Sequence, residues 1–153
     1  MIALNNFLRG EIKMEFRKFK EKYIIRLNKG DEVISSITDL CRKENIKLGS
    51  FVGLGAASKA TIGLYDTENK LYHQTTMEEP MEITSLVGNI STFDDEVYLH
   101  VHINLCNKDM QIFGGHLNEC IISATSEITL LNIEGKVERE YDEETGLNLY
   151  KFL

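Results

Sequence analysis

The strongest constraint on the fold is a succession of short apolar runs that fills the chain beyond residue 46. Glycine, asparagine or aspartate separates most of these runs, which is typical of strands joined by turns. The runs cover residues 48–52, 60–65, 71–75, 82–89, 97–105, 110–113 and 120–133. A further strand is predicted around residues 23–27, and the segment from Val137 onward reads as a hairpin with a turn at DEETG. Pro80, the only proline, is predicted to start a strand, where its missing N–H matters least.

One segment has the periodicity of a helix. Its apolar residues recur at the spacing of a single helix face, at Val33, Ile34, Ile37, Leu40 and Cys41. Asp31 is the predicted N-cap, and acidic Glu32 in the first turn suits the helix dipole. A helix is therefore predicted over residues 31–45, with Cys41 in the core.

Many strands and one strong helix predict an α+β fold. We expect a mainly antiparallel, barrel-like sheet with one main amphipathic helix packed on it. With 153 residues the chain has the length of one domain. The periodic pattern begins at Met14, which predicts a single domain over residues 14–153. Residues 1–13 are then an N-terminal extension, either a frayed tail or an arm that docks on a partner subunit.

The charge of the chain argues against anionic partners. It has 17 Lys and Arg residues against 24 Asp and Glu residues, a formal net charge of −7. A field of this sign repels phosphate, so DNA and anionic membranes are poor default partners. The sequence contains no run of eighteen apolar residues, and we therefore expect no membrane partner.

The cysteines predict the compartment. The chain has three cysteines, Cys41, Cys106 and Cys120, and an odd number cannot pair completely within one chain. The sequence also contains no CxxC motif. This pattern is typical of free thiols in a reducing environment and predicts a cytoplasmic protein.

One stretch near the amino terminus is basic. Residues 13–29 contain seven basic and two acidic side chains, with aromatic residues between them. Such a stretch can contact nucleic acid through phosphates and stacking, and the candidate contacts are Arg17, Lys18, Lys20 and Lys22. The alternative is a solvated strand whose lysines protect a sheet edge.

The glycine-containing segment 53–58 begins like a dinucleotide-binding fingerprint. Ser58, however, stands at the third fingerprint position, and a strand rather than a helix follows it. We interpret Gly53, Gly55 and Gly63 as sites of bends or bulges in a curved sheet.

Three histidines are the most informative candidates for a functional site. In a strand over residues 97–105 the side chains alternate between two faces, which leaves His100 and His102 together on the face opposite the apolar one. Imidazoles at this spacing lie about 7 Å apart and can reach one metal ion. A turn at residues 107–109 would bring His116 back towards them, and Gly114 and Gly115 permit a close approach of the backbone.

Three neutral imidazoles with one open position are typical of a catalytic zinc site rather than a closed structural one. Zinc is the default divalent ion, although imidazole also suits nickel, cobalt, copper and iron. A small ligand could fill the open position. The alternative is a polar sheet face that packs on another subunit, with the histidines hydrogen-bonded there. The fourth histidine, His73, is interpreted as a surface residue.

Four motifs, in this order and at these gaps, resemble a known family. They are Gly53-Leu54-Gly55-Ala56, the segment EPMEITSLVGNI at 79–90, His100-Val101-His102 and Gly114-Gly115-His116-Leu117. Over residues 23–130 the chain is similar to the PPC (plants and prokaryotes conserved) domain in its prokaryotic single-domain form. The resemblance implies an α+β fold, a homotrimer and a metal site at the three histidines.

The same resemblance implies a link to DNA. Plant members carry the domain behind AT-hook DNA-binding motifs, and prokaryotic members are predicted DNA-binding proteins. This chain contains no AT-hook, and only Glu82 and Ile83 match the plant pattern Arg-Phe-Glu-Ile-Leu. A trimer would also carry three times the negative charge of one chain, which disfavours unaided binding to DNA.

Two functions of different classes follow. The first is a trimeric, non-enzymatic regulatory or binding module of the predicted DNA-binding type, with a three-histidine divalent metal site. The second is a metal-dependent hydrolase or lyase that uses metal-activated water there, with Glu82, Glu119 or Glu127 as acid or base. A deep pocket with a carboxylate beside the open position would favour the enzyme. A shallow site, or one closed by a neighbouring subunit, would favour the module.

Overall fold

The computed structural model describes residues 14–152 of the chain. The predicted extension at 1–13 lies outside these residues, so its separation from a domain over 14–153 stays a prediction. The elements are β1 (Glu15–Phe19), β2 (Lys22–Asn28), α1 (Val33–Glu44), β3 (Gly49–Asp66), β4 (Leu71–Met77), β5 (Met81–Phe93), β6 (Glu96–Cys106), β7 (Ile112–Asn132), β8 (Arg139–Asp142) and β9 (Leu147–Tyr150).

Seven of the strands form one antiparallel sheet in the order β1-β2-β7-β6-β5-β3-β4. Strand β7 also pairs with β3, so β3, β5, β6 and β7 close into a ring. Strands β8 and β9 form a separate hairpin. Helix α1 packs against β6 and β7. The predicted α+β fold, with a mainly antiparallel sheet and one helix on it, is confirmed.

Helix α1 covers the sheet with its apolar stripe, because Val33, Ile37, Leu40 and Cys41 are all buried. The structure places the N-cap at Glu32 rather than at the predicted Asp31. The Glu32 carboxylate accepts hydrogen bonds from the backbone N–H groups of Ile34 and Ser35, at 3.0 and 2.6 Å. The Asp31 carboxylate instead accepts from the backbone N–H of Asn28. No helix in residues 14–152 is long and apolar enough to cross a membrane.

Two pairs of predicted strands are continuous in the structure. The runs at 48–52 and 60–65 belong to β3, and those at 110–113 and 120–133 belong to β7. Glycine bends β3 here instead of ending it, since the register between β3 and β5 shifts between Gly53 and Gly55. A Cβ on Gly53 would lie 2.8 Å from Ile128 Cγ1, so the close approach of β7 requires glycine. The predicted bulge at these glycines is confirmed.

Candidate metal centre

Strand β6 presents two different faces, as its alternation predicts. Val101, Ile103 and Leu105 are buried in the core. His100 and His102 lie on the opposite face, which we call the outer face of the sheet. The outer face is therefore the one that presents polar side chains here.

The hairpin of β6 and β7 brings the third histidine to the other two. His102 is directly opposite His116 in the antiparallel register. The connecting turn is held by Asn107, whose side-chain oxygen accepts hydrogen bonds from the backbone N–H groups of Asp109 and Gln111, both at 3.0 Å. A short and well-fixed turn thus sets the register that aligns the imidazoles.

The three imidazoles converge on one point. One ring nitrogen from each of His100, His102 and His116 lies within 4.8 Å of the other two. The Nε2 atoms of His100 and His102 are 3.2 Å apart. Two nitrogens bound to one tetrahedral zinc ion at its usual bond length lie about 3.3 Å apart. The donor set and its spacing therefore fit a divalent ion of the zinc type.

Glycines make room for this arrangement. A Cβ on Gly115 would lie 2.7 Å from the backbone oxygen of Gly63 on β3. A Cβ on Gly114 would lie 3.0 Å from the backbone oxygen of Ile103. Real Cβ atoms do not approach a backbone oxygen as closely as at Gly115, so β7 can lie this near β3 only with glycine there. At Gly114 a Cβ would also meet the Asn104 side chain, so a larger residue would require β6 to adjust. Gly114 and Gly115 thus shape the strand that carries His116.

The surroundings favour the neutral form of two of the imidazoles, those of His100 and His116. Burial lowers the pKa of His100, and the nearby charges of His102, His116 and Arg139 lower it further. Burial also lowers the pKa of His116, with His102 adding to the effect. Neutral imidazole is the form that offers a lone pair to a metal ion, so both shifts are in the direction that favours metal binding.

Tyr72 on β4 borders the cluster on one side. Its ring is edge-on to His116, with 6.4 Å between the ring centroids. Its hydroxyl donates to Asn118 Oδ1 at 3.0 Å. Sequence reasoning missed Tyr72, because only the pairing of β3 with β4 brings it here and no local pattern in the sequence reveals that register.

The glutamates considered as acid or base do not join the histidines. Within the described residues, the group of converging donors consists of the three histidines alone. Glu119 forms an ion pair with Lys59 at 2.9 Å. Glu127 is opposite Leu54, and Glu82 is opposite Cys106, four residues along β6 from His102. The structure therefore brings together the predicted ligands but none of these carboxylates.

The histidines do not line either of two grooves on the surface of residues 14–152. A groove of about 470 Å³ lies beside the β1–β2 turn, and one of about 180 Å³ lies at the end of α1. Neither groove is lined by His100, His102 or His116.

The basic residues near the amino terminus are spread over the β1–β2 hairpin. Arg17 and Lys22 are exposed, and their register places them on the outer face with Ile24. Lys18 lies over the ring of Tyr23 on the other side. Lys20 occupies the turn and lines the larger groove together with Lys18. The four candidates do not form one continuous basic face.

Comparison with known proteins places these features in a family. The model of the Plants and Prokaryotes Conserved (PCC) domain matches residues 14–134. A comparison with curated protein sequences found no match.

Three solved structures illustrate the similarity. A presumed DNA-binding protein from Bacteroides thetaiotaomicron is 32% identical, with a TM-score of 0.89, and the match covers 91% of this chain and 97% of that one. A metal-containing protein from Archaeoglobus fulgidus is 34% identical, with a TM-score of 0.81, over 91% and 98% of the two chains. A plant- and prokaryote-conserved (PPC) protein from Pyrococcus horikoshii is 31% identical, with a TM-score of 0.81, over 96% and 99%.

Proposed function

Because this chain belongs to the Plants and Prokaryotes Conserved domain family, we propose that it is a homotrimeric, non-enzymatic binding or regulatory module that holds a divalent metal ion. His100, His102 and His116 are the ligands, and zinc is the expected ion. The observation that carries the proposal is the convergence of three ring nitrogens within 4.8 Å on the outer face. The metal-containing relative from Archaeoglobus fulgidus supports it. A bound ion would supply one open coordination position for a small ligand.

The absence of a carboxylate from the histidine group favours a module over an enzyme. A hydrolase or lyase needs an acid or base within hydrogen-bond reach of the reacting groups. Among residues 14–152 the group contains histidines only, and the histidines line neither of the two grooves described above. A group of donors without a carboxylate suits a ligand or a neighbouring subunit better than acid–base chemistry.

An exposed apolar row supports assembly into a homotrimer. Across the outer face, Ile24, Val52 and Val87 are 49%, 57% and 50% exposed. The strand registers place them in one line with Thr129, and the next residues in that line are His102 and His116. Exposed apolar surface of this kind is typical of an interface. We propose that subunits pack over this row, beside the metal.

Presumed DNA-binding relatives from Bacteroides thetaiotaomicron and Ralstonia eutropha make DNA the macromolecular partner to consider. Contact with phosphates would come from the β1–β2 hairpin, where Lys20 and Lys47 line the same groove as Lys18. The net charge of −7 opposes such binding. We therefore propose DNA only as a secondary partner and give self-assembly and metal binding priority. The cytoplasm is the proposed compartment, because all three cysteines are free thiols.

Metal content tests the proposed function. We expect about one zinc or similar ion per chain in untagged protein, measured by plasma mass spectrometry. His100→Ala/His102→Ala should lose the ion. His73→Ala is the matched control, because His73 is exposed on β4 and lies outside the converging group. Wild-type protein that stays metal-free after zinc, nickel and cobalt are supplied would rule out the site.

Native mass spectrometry tests the assembly. Wild-type protein should have the mass of three chains, and Val52→Lys/Val87→Lys should shift it to the mass of one chain by placing charges in the interface. Leu64→Lys/Leu71→Lys is the control, since these two side chains are 64% and 55% exposed but lie on the β3–β4 hairpin, off the apolar row. A trimer that survives the first double substitution would contradict the proposed interface.

A further inference from the structure

Arg139 is a buried cation on the outer face. It begins β8, and 8% of its surface is exposed. The guanidinium lies between two aromatic rings, 4.6 Å from the centroid of Tyr98 and 4.3 Å from that of Tyr150. Its Nε donates to Ser91 Oγ at 2.8 Å, and Nη1 donates to the backbone oxygen of Asn148 at 2.7 Å. These contacts hold the guanidinium in one orientation.

The charge of Arg139 has no carboxylate partner in the part of the chain that the structure describes. The acidic residues on either side of it are engaged elsewhere, because Glu138 pairs with Lys136 and Glu140 pairs with Lys151. Nη2 makes no hydrogen bond to a described residue. No side-chain nitrogen there is both buried and unpartnered, so Nη2 reaches solvent. Buried charges are normally paired, so this arrangement suggests a missing anion.

The strand register places Arg139 beside the histidines. Arg139 contacts both Ser91 and Tyr98, which are opposite each other on β5 and β6. The next pair along the same face is Asn89 with His100. Residues two apart on a strand share a face and lie about 7 Å apart. The guanidinium is therefore one step along the sheet from the first proposed metal ligand.

The proposed metal site also lacks a compensating negative charge. Three neutral imidazoles leave the charge of a divalent ion uncancelled, and the group of donors in residues 14–152 contains no carboxylate. Two cationic centres then lie side by side, one at the histidines and one at Arg139. A ligand with two negative ends is the chemistry that satisfies both.

We propose that this site binds a small dicarboxylate, with one carboxylate on the metal ion and the other on Nη2 of Arg139. The inference rests on the proposed metal-binding function and adds the class of ligand and its second anchor. Tyr98 and Tyr150 act as positioning residues, because they fix the plane of the guanidinium.

Cobalt-loaded protein provides the test, since the visible absorption of cobalt(II) reports a ligand entering its coordination shell. The probes are azide and acetate, which reach the ion alone, and oxalate, malonate and succinate, which have two charged ends. We expect at least one dicarboxylate to bind about tenfold or more tightly than acetate, because a charge-assisted hydrogen bond is added. Arg139→Gln should remove this preference, so that each dicarboxylate binds no more tightly than acetate to the same variant, and Arg139→Lys should restore part of it. Lys151→Gln, which removes a positive charge from the same hairpin, is the matched control.

The outcomes separate the two proposals. Without cobalt absorption bands, the metal-binding function fails and the inference fails with it. If azide changes the bands but every dicarboxylate binds like acetate, or if Arg139→Gln keeps the preference, the inference alone is overturned. Because Arg139 is buried and its substitution could prevent folding, wild-type protein provides a second readout. In ¹⁵N-labelled, zinc-loaded wild type, the best-binding dicarboxylate should shift the side-chain N–H resonances of Arg139 more than acetate does, and equal shifts would overturn the second anchor.

Discussion

The three cysteine side chains differ sharply in their environments. Cys41 and Cys120 are fully buried, and burial raises the pKa of each thiol to about 12. Cys41 packs on the apolar stripe of α1, as predicted from its helical spacing. Cys106 instead lies half-buried at the end of β6, with its Sγ 3.9 Å from Met110 Sδ. Of the three thiols, only that of Cys106 is accessible to a reagent.

Thiol labelling should therefore be selective. In native protein at about pH 8, a neutral alkylating reagent such as iodoacetamide should modify Cys106 and leave Cys41 and Cys120 unmodified. Cys106→Ser should abolish the labelling, and Cys41→Ser should leave it unchanged, as measured by intact mass. Rapid modification of Cys120 in folded protein would contradict the burial of its side chain in the core.

At the scale of elements, the start of α1 is fixed to the sheet by one carboxylate. Glu32 caps two backbone N–H groups of the helix and also accepts from the backbone N–H of Cys120 on β7, at 3.1 Å. Glu32 and Ile121 additionally form an isolated bridge. One side chain thus joins the only helix of residues 14–152 to the longest strand there.

Removing this carboxylate should weaken the fold. Glu32→Ala is expected to lower the free energy of unfolding by about 1–2 kcal/mol, because it deletes a helix cap and leaves a strand N–H without its acceptor. Urea denaturation at neutral pH measures the change. Asp39→Ala is the control, since Asp39 lies on the same helix and takes no part in its N-cap. Equal stability of Glu32→Ala and wild type would contradict the capping role.

Local sequence patterns predict some elements of this fold and not others. Helix α1 and the alternation of β6 were predictable, because both depend on spacing within one segment. The approach of His116 to His100 and His102 was also predictable, since it needs only a short hairpin between β6 and β7. The continuity of β3 and β7 was not, because glycines that form bulges and glycines that end strands look alike in a sequence. Tyr72 and Arg139 were missed because distant pairings bring them to the site.

At the scale of the whole molecule, the histidine cluster couples stability to pH. The pKa values of His100 and His116 are lowered in the folded chain. The unfolded chain, with an ordinary histidine pKa of about 6.5, then binds protons more readily than the folded one. The contribution of these groups is therefore fully present above about pH 6.5 and is lost as the pH falls through their lower folded values.

The melting temperature of metal-free protein should accordingly fall as the pH is lowered from about 7.5 to 5. His100→Gln/His116→Gln should reduce that fall, because glutamine does not titrate. Added zinc should raise the melting temperature of wild type, and the gain should shrink in acid as protons compete for the imidazoles. Calorimetry at several pH values, with His73→Gln as the control, measures both effects. A double variant with the same pH slope as His73→Gln would contradict the assignment.

The short β6–β7 hairpin has a consequence for how the chain folds. His102 and His116 are fourteen positions apart in the sequence, and a turn held by Asn107 joins their strands. The entropy lost on closing a loop grows only with the logarithm of its length, so a loop this short closes at low cost. An ion captured by the nascent chain would already select the register in which these two residues face each other. The metal would then act as a template for the hairpin before the remaining strands arrive, so the order of assembly, and not only the finished state, would depend on the metal supply of the cell.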